Sequence, residues 1–335
     1  MNAMNESSHL TEFKVTPDWD GKTCGDFLRY SGVSRRLAAR LKRIPDGITL
    51  NGSHVRTVDV IRAGDVVAIK NIDESLLEPN SILTVPIVYE DEGVAVFDKP
   101  AGMPVHPSHK HQGDTLGNCF AAMFPALTFR PINRLDKDTS GLCAVAKSAY
   151  AANLLTGNIS KVYAAVTEGA PIPKPLENPL IKWYETESGF RIEAPIGRTA
   201  DSVITREVRA DGQHAVTNYT IEKENGSFMQ VTLQNRAAHG SVSPLLTKYA
   251  NKGKGSAFSL LRISLETGRT HQIRVHFSSL GHPLAGDDLY GGSLDFCKRQ
   301  ALHCCEMRFV SPFGGEVFLK SSLPNDMKQL IINNE

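Results

Sequence analysis

The sequence predicts an α+β protein: a body built on a mainly antiparallel, mixed central sheet, preceded by a small α/β module. Three observations lead there. From about residue 82 onward the chain carries short apolar segments, several of them alternating apolar and polar residues, that are not separated by regular helices, the pattern of half-buried antiparallel strands rather than of a doubly wound sheet. Residues 22–70 hold ten basic against four acidic side chains, a net +6 that leaves −5 for the rest of a chain whose total is +1. Between the two lies a polar, proline-containing stretch, 71–81. The domain organisation read from this is a module over 15–70, a linker over 71–81 and a larger domain over 82–335.

The bulk properties narrow the function classes. At 335 residues with 41% hydrophobic and 22% charged residues, the chain is an ordinary globular one, not collagenous, coiled-coil or mainly disordered. No stretch approaches the roughly 18 apolar residues of a membrane span. Residues 1–16 lack an apolar core, so secretion is not expected. The six cysteines form no C-x-x-C pair. A disulfide framework or zinc site is therefore not expected, and a cytoplasmic location fits.

Within the basic module, Ser34 is the expected N-cap of a helix over 35–44, which Pro45 ends. On a helical wheel Leu37, Leu41 and Ile44 share one face, while Arg36, Arg40 and Arg43 form a cationic stripe on another. Ile48-Thr-Leu-Asn-Gly-Ser then reads as strand and hairpin turn, and Val66-Val-Ala-Ile as a closing strand. A solvated surface helix would also carry such a stripe. The excess of positive charge runs through the whole module, however, which favours a polyanionic partner.

In the larger domain, strands are expected at 94–97, 142–146, 162–166, 215–221, 228–233 and 260–265. A helix follows Thr270, its expected cap, with Ile273, Phe277 and Leu280 on one face and Gly281 just past its end. The stretch 236–257 reads as a long inserted loop.

Two polar clusters and a tyrosine could carry chemistry. The first is Asn133-Arg-Leu-Asp-Lys-Asp-Thr-Ser-Gly141, directly before an apolar strand. A carboxylate flanked by cations keeps its charge and can serve as nucleophile or base. Turns of this composition are common without any catalytic role. A metal-dependent phosphatase loop of the haloacid-dehalogenase type is a further reading, but the order here is D-x-D-T rather than D-x-D-x-T. The second cluster, Gly268-Arg-Thr-His-Gln-Ile-Arg-Val-His276, would place His and Arg in the first helical turn, where they can bind an anion or hold a carboxylate. His271 and His276 are five apart and fall on different helix faces, so hydrogen-bonding histidines are expected rather than metal ligands. Tyr163, in Lys161-Val-Tyr-Ala-Ala-Val166, is either core or a ring on which a base can stack.

Two family resemblances follow from these residues. Phe27-Leu28, Ser34-Arg-Arg-Leu37, Ile48-Thr-Leu-Asn-Gly52 and Ile61-Arg-Ala-Gly-Asp65 resemble the S-four-type RNA-binding domain, named for a ribosomal small-subunit protein. The larger domain resembles the RluA family of pseudouridine synthases through five collinear motifs over 88–312. They are Glu90 to Pro107 (Glu-Asp-Glu-Gly-Val-Ala-Val-Phe-Asp-Lys-Pro-Ala-Gly-Met-Pro-Val-His-Pro), Arg134-Leu-Asp-Lys-Asp-Thr-Ser-Gly141, Lys161 to Val166, Thr267 to His276 with Gly281-His-Pro-Leu-Ala-Gly-Asp287 and Tyr290-Gly, and Arg299-Gln-Ala-Leu-His303. Departures are Asn133 where the family commonly has His, a shortened segment between Tyr150 and Lys161, and the 236–257 loop.

The resemblance implies the pseudouridine synthase fold and a cofactor-independent isomerase that converts uridine to pseudouridine in RNA, without a metal. It implies Asp136 as catalytic carboxylate, Arg274 as its counter-charge and Tyr163 as a ring stacked on the uracil. It further implies Ile273 as an apolar wall and Arg134 beside the flipped nucleotide. Arg36, Arg40 and Arg43 are the expected RNA contacts of the module. The attached S-four-type domain points to ribosomal RNA of the large subunit over transfer RNA. A non-catalytic RNA-binding protein on the same fold is the other class in play. Asp98 to Gly102 is read as a turn under the sheet, outside the site.

Overall fold

A computed structural model describes residues 10–71, 77–108, 111–225 and 258–332. The expected strand at 228–233 and the loop at 236–257 lie outside the described residues. The N-terminal module comprises β1 (Leu10–Lys14), α1 (Cys24–Tyr30), α2 (Arg35–Leu41), β2 (Ile48–Leu50), β3 (Ser53–His54) and β4 (Val66–Lys70), its strands ordered β1-β4-β2-β3. It begins earlier than the expected residue 15. Leu10–Lys14 reads as polar, yet it alternates, with Thr11 buried and Phe13 half-buried, and pairs antiparallel with β4. Ser34 caps α2 by accepting from Leu37 N–H. The helix stops at Leu41 rather than residue 44, because Arg43 and Ile44 N–H turn to carbonyls three residues back. Asn51 and Gly52 both have positive φ, as a two-residue hairpin turn of the primed type requires.

Residues 77–81, expected as the end of a linker, are anchored to the larger domain. Leu77 packs on its core, and Asn118 on the helix α3 (Leu116–Met123) donates to Glu78 O and accepts from Thr115 N–H, while its own carbonyl accepts from Asn80 N–H. The module and the larger domain also touch: Asn153 Nδ2 donates to Gly32 O at 2.8 Å and Phe13 meets Tyr150 edge-on.

The larger domain runs β5 (Ile87–Glu90), β6 (Val94–Lys99), α3, β7 (Arg130–Pro131), β8 (Ser140–Ala146), α4 (Ala149–Leu155), β9 (Ser160–Glu168), β10 (Lys182–Thr186) and β11 (Gly189–Glu193). It continues with β12 (Ile196–Arg198), β13 (Arg206–Val208), β14 (Val216–Asn225), β15 (Phe258–Leu265), α5 (Gln272–Ser279), β16 (Leu302–Val310), β17 (Glu316–Lys320) and α6 (Asn325–Ile332). Eleven strands form one sheet in the order β10-β11-β14-β15-β9-β16-β8-β6-β5, with β17 beside β16 and β7 beside β8. Among the described pairs only β8 and β16 run parallel, so the sheet is mixed and mainly antiparallel, as expected.

Side chains alternate across the sheet as the pleat demands. On β9, Tyr163 and Ala165 join the main core, whereas Ala164 and Val166 join a second cluster with Met327 and Leu330 of α6. Tyr163 therefore faces the side on which α5 lies. Gly141 allows β8 to close against β16: its φ is +106°, and a Cβ there would lie 2.3 Å from Cys304 O. Among the described residues no helix is long and apolar enough to cross a membrane.

Candidate active site

One cleft is lined chiefly by the loop between β7 and β8, by β9 and by the stretch from the end of β15 to the start of α5, and the turn that follows α5 contacts Arg274 and His271. The cleft has a volume of about 810 Å³ and continues into a smaller recess of about 70 Å³. Arg134, Asp136, Tyr163 and His271 line both, and Ile273 and Arg274 line the recess. The Asp136, Tyr163, Arg274, Arg134 and Ile273 singled out in the sequence are thus neighbours. Asp138 is not among them: its carbonyl accepts from Arg299 Nη1 at 3.1 Å, on the far side of the loop.

An ion-pair chain organises the recess. Arg274 donates through Nε and Nη2 to the two carboxylate oxygens of Asp287, both at 2.7 Å, and through Nη1 to Asp136 Oδ2 at 3.1 Å. The side chains are exposed by 7% at Arg274, 0% at Asp287 and 28% at Asp136. Burial opposes the guanidinium's charge, but the hydrogen bonds and charge of Asp287, with those of Asp136, more than offset it and hold Arg274 above its ordinary range. Arg274 also lies over the Tyr290 ring at 4.9 Å. Tyr163 is buried, and burial first, then neighbouring Cys304, keeps its hydroxyl protonated.

The helix start differs from the expected one. His271, not Thr270, occupies the N-cap position, with φ of +57° and no side-chain hydrogen bond to the helix amides. A left-handed non-glycine residue costs about 1 kcal/mol or more. Gln272 braces the turn in its place, since its Oε1 accepts from Arg269 N–H and from Thr267 Oγ1. The other end is as expected, with Gly281 at φ +78° and the amides of Gly281 and His282 returning to Ser278 and Phe277 carbonyls. His276 points away from the cleft, buried between Thr217 Oγ1 and Ala194 O.

The loop that presents Asp136 is held from beneath. Lys99 Nζ donates to the carbonyls of Pro100, Met103 and Lys137, and burial pushes its pKa down to about 8. From β16 and the segment before it, Arg299 holds Asp138 O, Gln300 donates to Thr139 Oγ1 at 3.3 Å, and His303 Nδ1 lies 2.9 Å from Ser140 Oγ. Asn133 is also structural here. Its side chain donates to Leu142 O and accepts from Ala144 N–H, stitching the loop to β8. Among the described residues no group of three or more His, Cys, Asp or Glu is placed to hold a metal ion.

The RNA pseudouridylate synthase family model matches residues 93–279, which contain the loop, Tyr163 and Arg274. The chain belongs to this family. It is a pseudouridine synthase, an isomerase acting on RNA. It is 34% identical to the uncharacterized RNA pseudouridine synthase YjbO of Bacillus subtilis, over 90% of this chain and 95% of that one. It is 32% identical to the ribosomal large subunit pseudouridine synthase D of Pseudomonas aeruginosa, over 88% and 86% of the two chains. Among solved structures it is similar to human RNA Pseudouridylate Synthase Domain Containing 1, with a TM-score of 0.49 and 23% identity over 73% and 86%.

In this pseudouridine synthase the recess offers a carboxylate with one oxygen held by a guanidinium and the other without a hydrogen bond to any described residue, beside an aromatic ring and an aliphatic wall. Sequence reasoning misses the roles of four residues in this arrangement. Asp287 lies within a family motif, but nothing local ties a carboxylate to an arginine 13 residues earlier. Tyr290 reaches the site through His271 Nδ1 at 2.7 Å. For His271 the sequence offers a hydrogen-bonding histidine in a turn able to hold a carboxylate, but not its left-handed backbone or its Tyr290 partner. Lys99 reads as a turn residue, but it is the last residue of β6, and its side chain supports the backbone of the Asp136 loop.

Proposed function

We propose that this enzyme isomerises a uridine of ribosomal RNA, in the large subunit, with Asp136 as the catalytic carboxylate. The observation that carries the site assignment is the Asp136–Arg274–Asp287 chain opening into the cleft. The reaction breaks the bond between uracil N1 and C1′, turns the base, and joins C5 to C1′; the C5 proton leaves to solvent and N1 regains one. Asp136 Oδ1 is the oxygen free to act, because Oδ2 is held by Arg274. Arg274 pairs with the carboxylate and fixes its orientation. Tyr163 stacks on the uracil, and its protonated hydroxyl is available to the closing proton transfer. Ile273 walls the base. Arg134, exposed at the mouth of the cleft, fills the space left by the flipped nucleotide, offsetting part of the few kcal/mol that unstacking costs.

The ribosomal target is supported by relatives such as the Pseudomonas aeruginosa protein, named for the large subunit. The N-terminal module serves as an RNA-binding unit of S-four type. Arg36, Arg40 and Arg43 are exposed, and none is ion-paired to a described residue. A groove of about 290 Å³ between α1 and α2, lined by Arg29, Arg35 and Lys42, extends the cationic surface.

Two experiments test this. Position-resolved pseudouridine mapping of total RNA, with and without the gene, should lose a large-subunit signal; a loss confined to transfer RNA would overturn the ribosomal assignment. Asp136→Asn should abolish tritium release from RNA whose uridines are tritiated at C5, while RNA binding persists. Substantial turnover by that variant would remove Asp136 from the chemistry.

A further inference from the structure

His271 departs from local rules twice. Its backbone is left-handed, and it occupies a helix N-cap position without offering the amides an acceptor, the service that Ser, Thr, Asp or Asn perform there. The imidazole instead lines the recess beside Asp136.

The two ring nitrogens have different partners. Arg206 N–H donates to Tyr290 Oη at 3.0 Å. The Tyr290 hydroxyl proton is then directed at His271 Nδ1, 2.7 Å away. With Nδ1 accepting, the ring proton resides on Nε2. Nε2 lies 3.9 Å from Asp136 Oδ1, the oxygen that Arg274 leaves free.

We propose that His271 is a positioning residue for the isomerisation: as the neutral imidazole, with its tautomer set by Tyr290, it donates Nε2–H to Asp136 Oδ1 and aims the carboxylate at the target uridine. This rests on the reading of Asp136 as the catalytic carboxylate. The 3.9 Å gap closes to a hydrogen bond when substrate fills the cleft, as contacts that are long in free enzymes commonly tighten in the complex.

The groups around the ring favour the neutral form. Burial is the largest influence; Arg274 from the same helix and Arg206 from β13 add to it, while Asp136 from the loop and Asp287 from the following turn oppose it, and the balance lowers the pKa below its ordinary 6.5. Tyr290 faces Nδ1 from that same turn. A second ring proton would need Nδ1, displacing the Tyr290 donor, and the resulting imidazolium would lock Asp136 into an ion pair. Activity should therefore fall as pH drops through the imidazole's titration.

The test uses the full-length enzyme and total RNA, with uridines tritiated at C5, from cells lacking the gene. Tritium release gives kcat and KM from about pH 5 to 8.5, a range that spans the ordinary imidazole pKa and extends in the direction of its shift. His271→Leu should lower kcat about 10- to 100-fold with little change in KM. His271→Gln, whose amide N–H can replace Nε2–H, should recover part of that loss and should not show the imidazole's acid limb. Tyr290→Phe keeps a ring under Arg274 but removes the donor to Nδ1, so its acid limb should move to higher pH. A wild-type kcat in His271→Leu overturns the proposal, as does a Gln variant that matches Leu together with an unmoved limb in Tyr290→Phe. If His271→Leu does not fold, the Gln and Phe profiles decide alone. Asp136→Asn run in parallel separates the two ideas: turnover in that variant defeats the reading of Asp136 itself, whereas a dead Asp136→Asn beside a fully active His271→Leu defeats only the role of His271.

Discussion

Replacing Asp287 by asparagine separates the structural from the chemical partner of Arg274. Asp287 is fully buried and makes both of its hydrogen bonds, at 2.7 Å, to a guanidinium that is itself 7% exposed. The asparagine carbonyl can accept one of those N–H groups, but its NH₂ must face the other. Breaking a buried pair from one side costs about 3–5 kcal/mol, and the buried guanidinium would keep only its single bond to the partly exposed Asp136. At roughly 2–4 °C per kcal/mol for a domain of this size, the melting temperature should fall by roughly 6–20 °C. The same change at Asp136 is different. That carboxylate is 28% exposed and receives a single bond from Arg274 at 3.1 Å, while Asp287 continues to neutralise the guanidinium. Its cost should be about 0–1 kcal/mol, the range of accessible ion pairs. Thermal unfolding of the two variants, followed by dye binding and circular dichroism, reads the difference directly. Tritium release should be lost in Asp136→Asn with folding intact, and lost in Asp287→Asn together with stability. A melting temperature of Asp287→Asn within about 2 °C of the parent, or an equal fall for Asp136→Asn, would refute this division of labour.

Three further outcomes follow from the same geometry. Tyr163→Phe should retain RNA binding and lose turnover if the hydroxyl takes part, and Tyr163→Ala should also lose the roughly 1–3 kcal/mol of stacking; normal turnover in both would make Tyr163 a core residue only. Replacing Arg36, Arg40 and Arg43 together by Ala should lower the slope of log affinity against log salt by about 2–3 without changing kcat, and an unchanged slope would remove that face from the interface. His276 is lowered from 6.5 to about 4, chiefly by burial, so below 6.5 the unfolded chain binds a proton that the folded one refuses; its contribution to stability is complete above pH 6.5 and falls as pH drops toward 4, by on the order of 3 kcal/mol. Unfolding free energies measured across that window should show less of this loss in His276→Gln, and identical pH slopes would count against it.

Local chemistry makes much of this protein legible. Short apolar segments locate strands at 94–97, 142–146, 162–166 and 260–265, each within a strand of the structure. Asn51-Gly52 and Gly281 announce their turns because positive φ is a property of a residue and its immediate neighbours. Boundaries are less legible. Leu10–Lys14 is a strand only because β4 offers it a partner, and α2 ends early because its last amides find nearer carbonyls.

Five collinear motifs indicate which residues share a site, but not how they are held. The Asp136–Arg274 bond joins positions 138 apart in sequence, and no periodicity encodes such a distance. The sequence determined the family, the strand pattern and the residue types available to the chemistry, since these depend on composition and on interactions a few residues long. Tertiary structure alone decided that Asp287, not Asp136, satisfies most of Arg274, that Lys99 and Arg299 to His303 support the loop from below, and that a left-handed turn aims His271 into the cleft. Each of those is a contact between segments that meet only after the sheet has closed, where burial makes an unpaired charge or an unmade hydrogen bond costly.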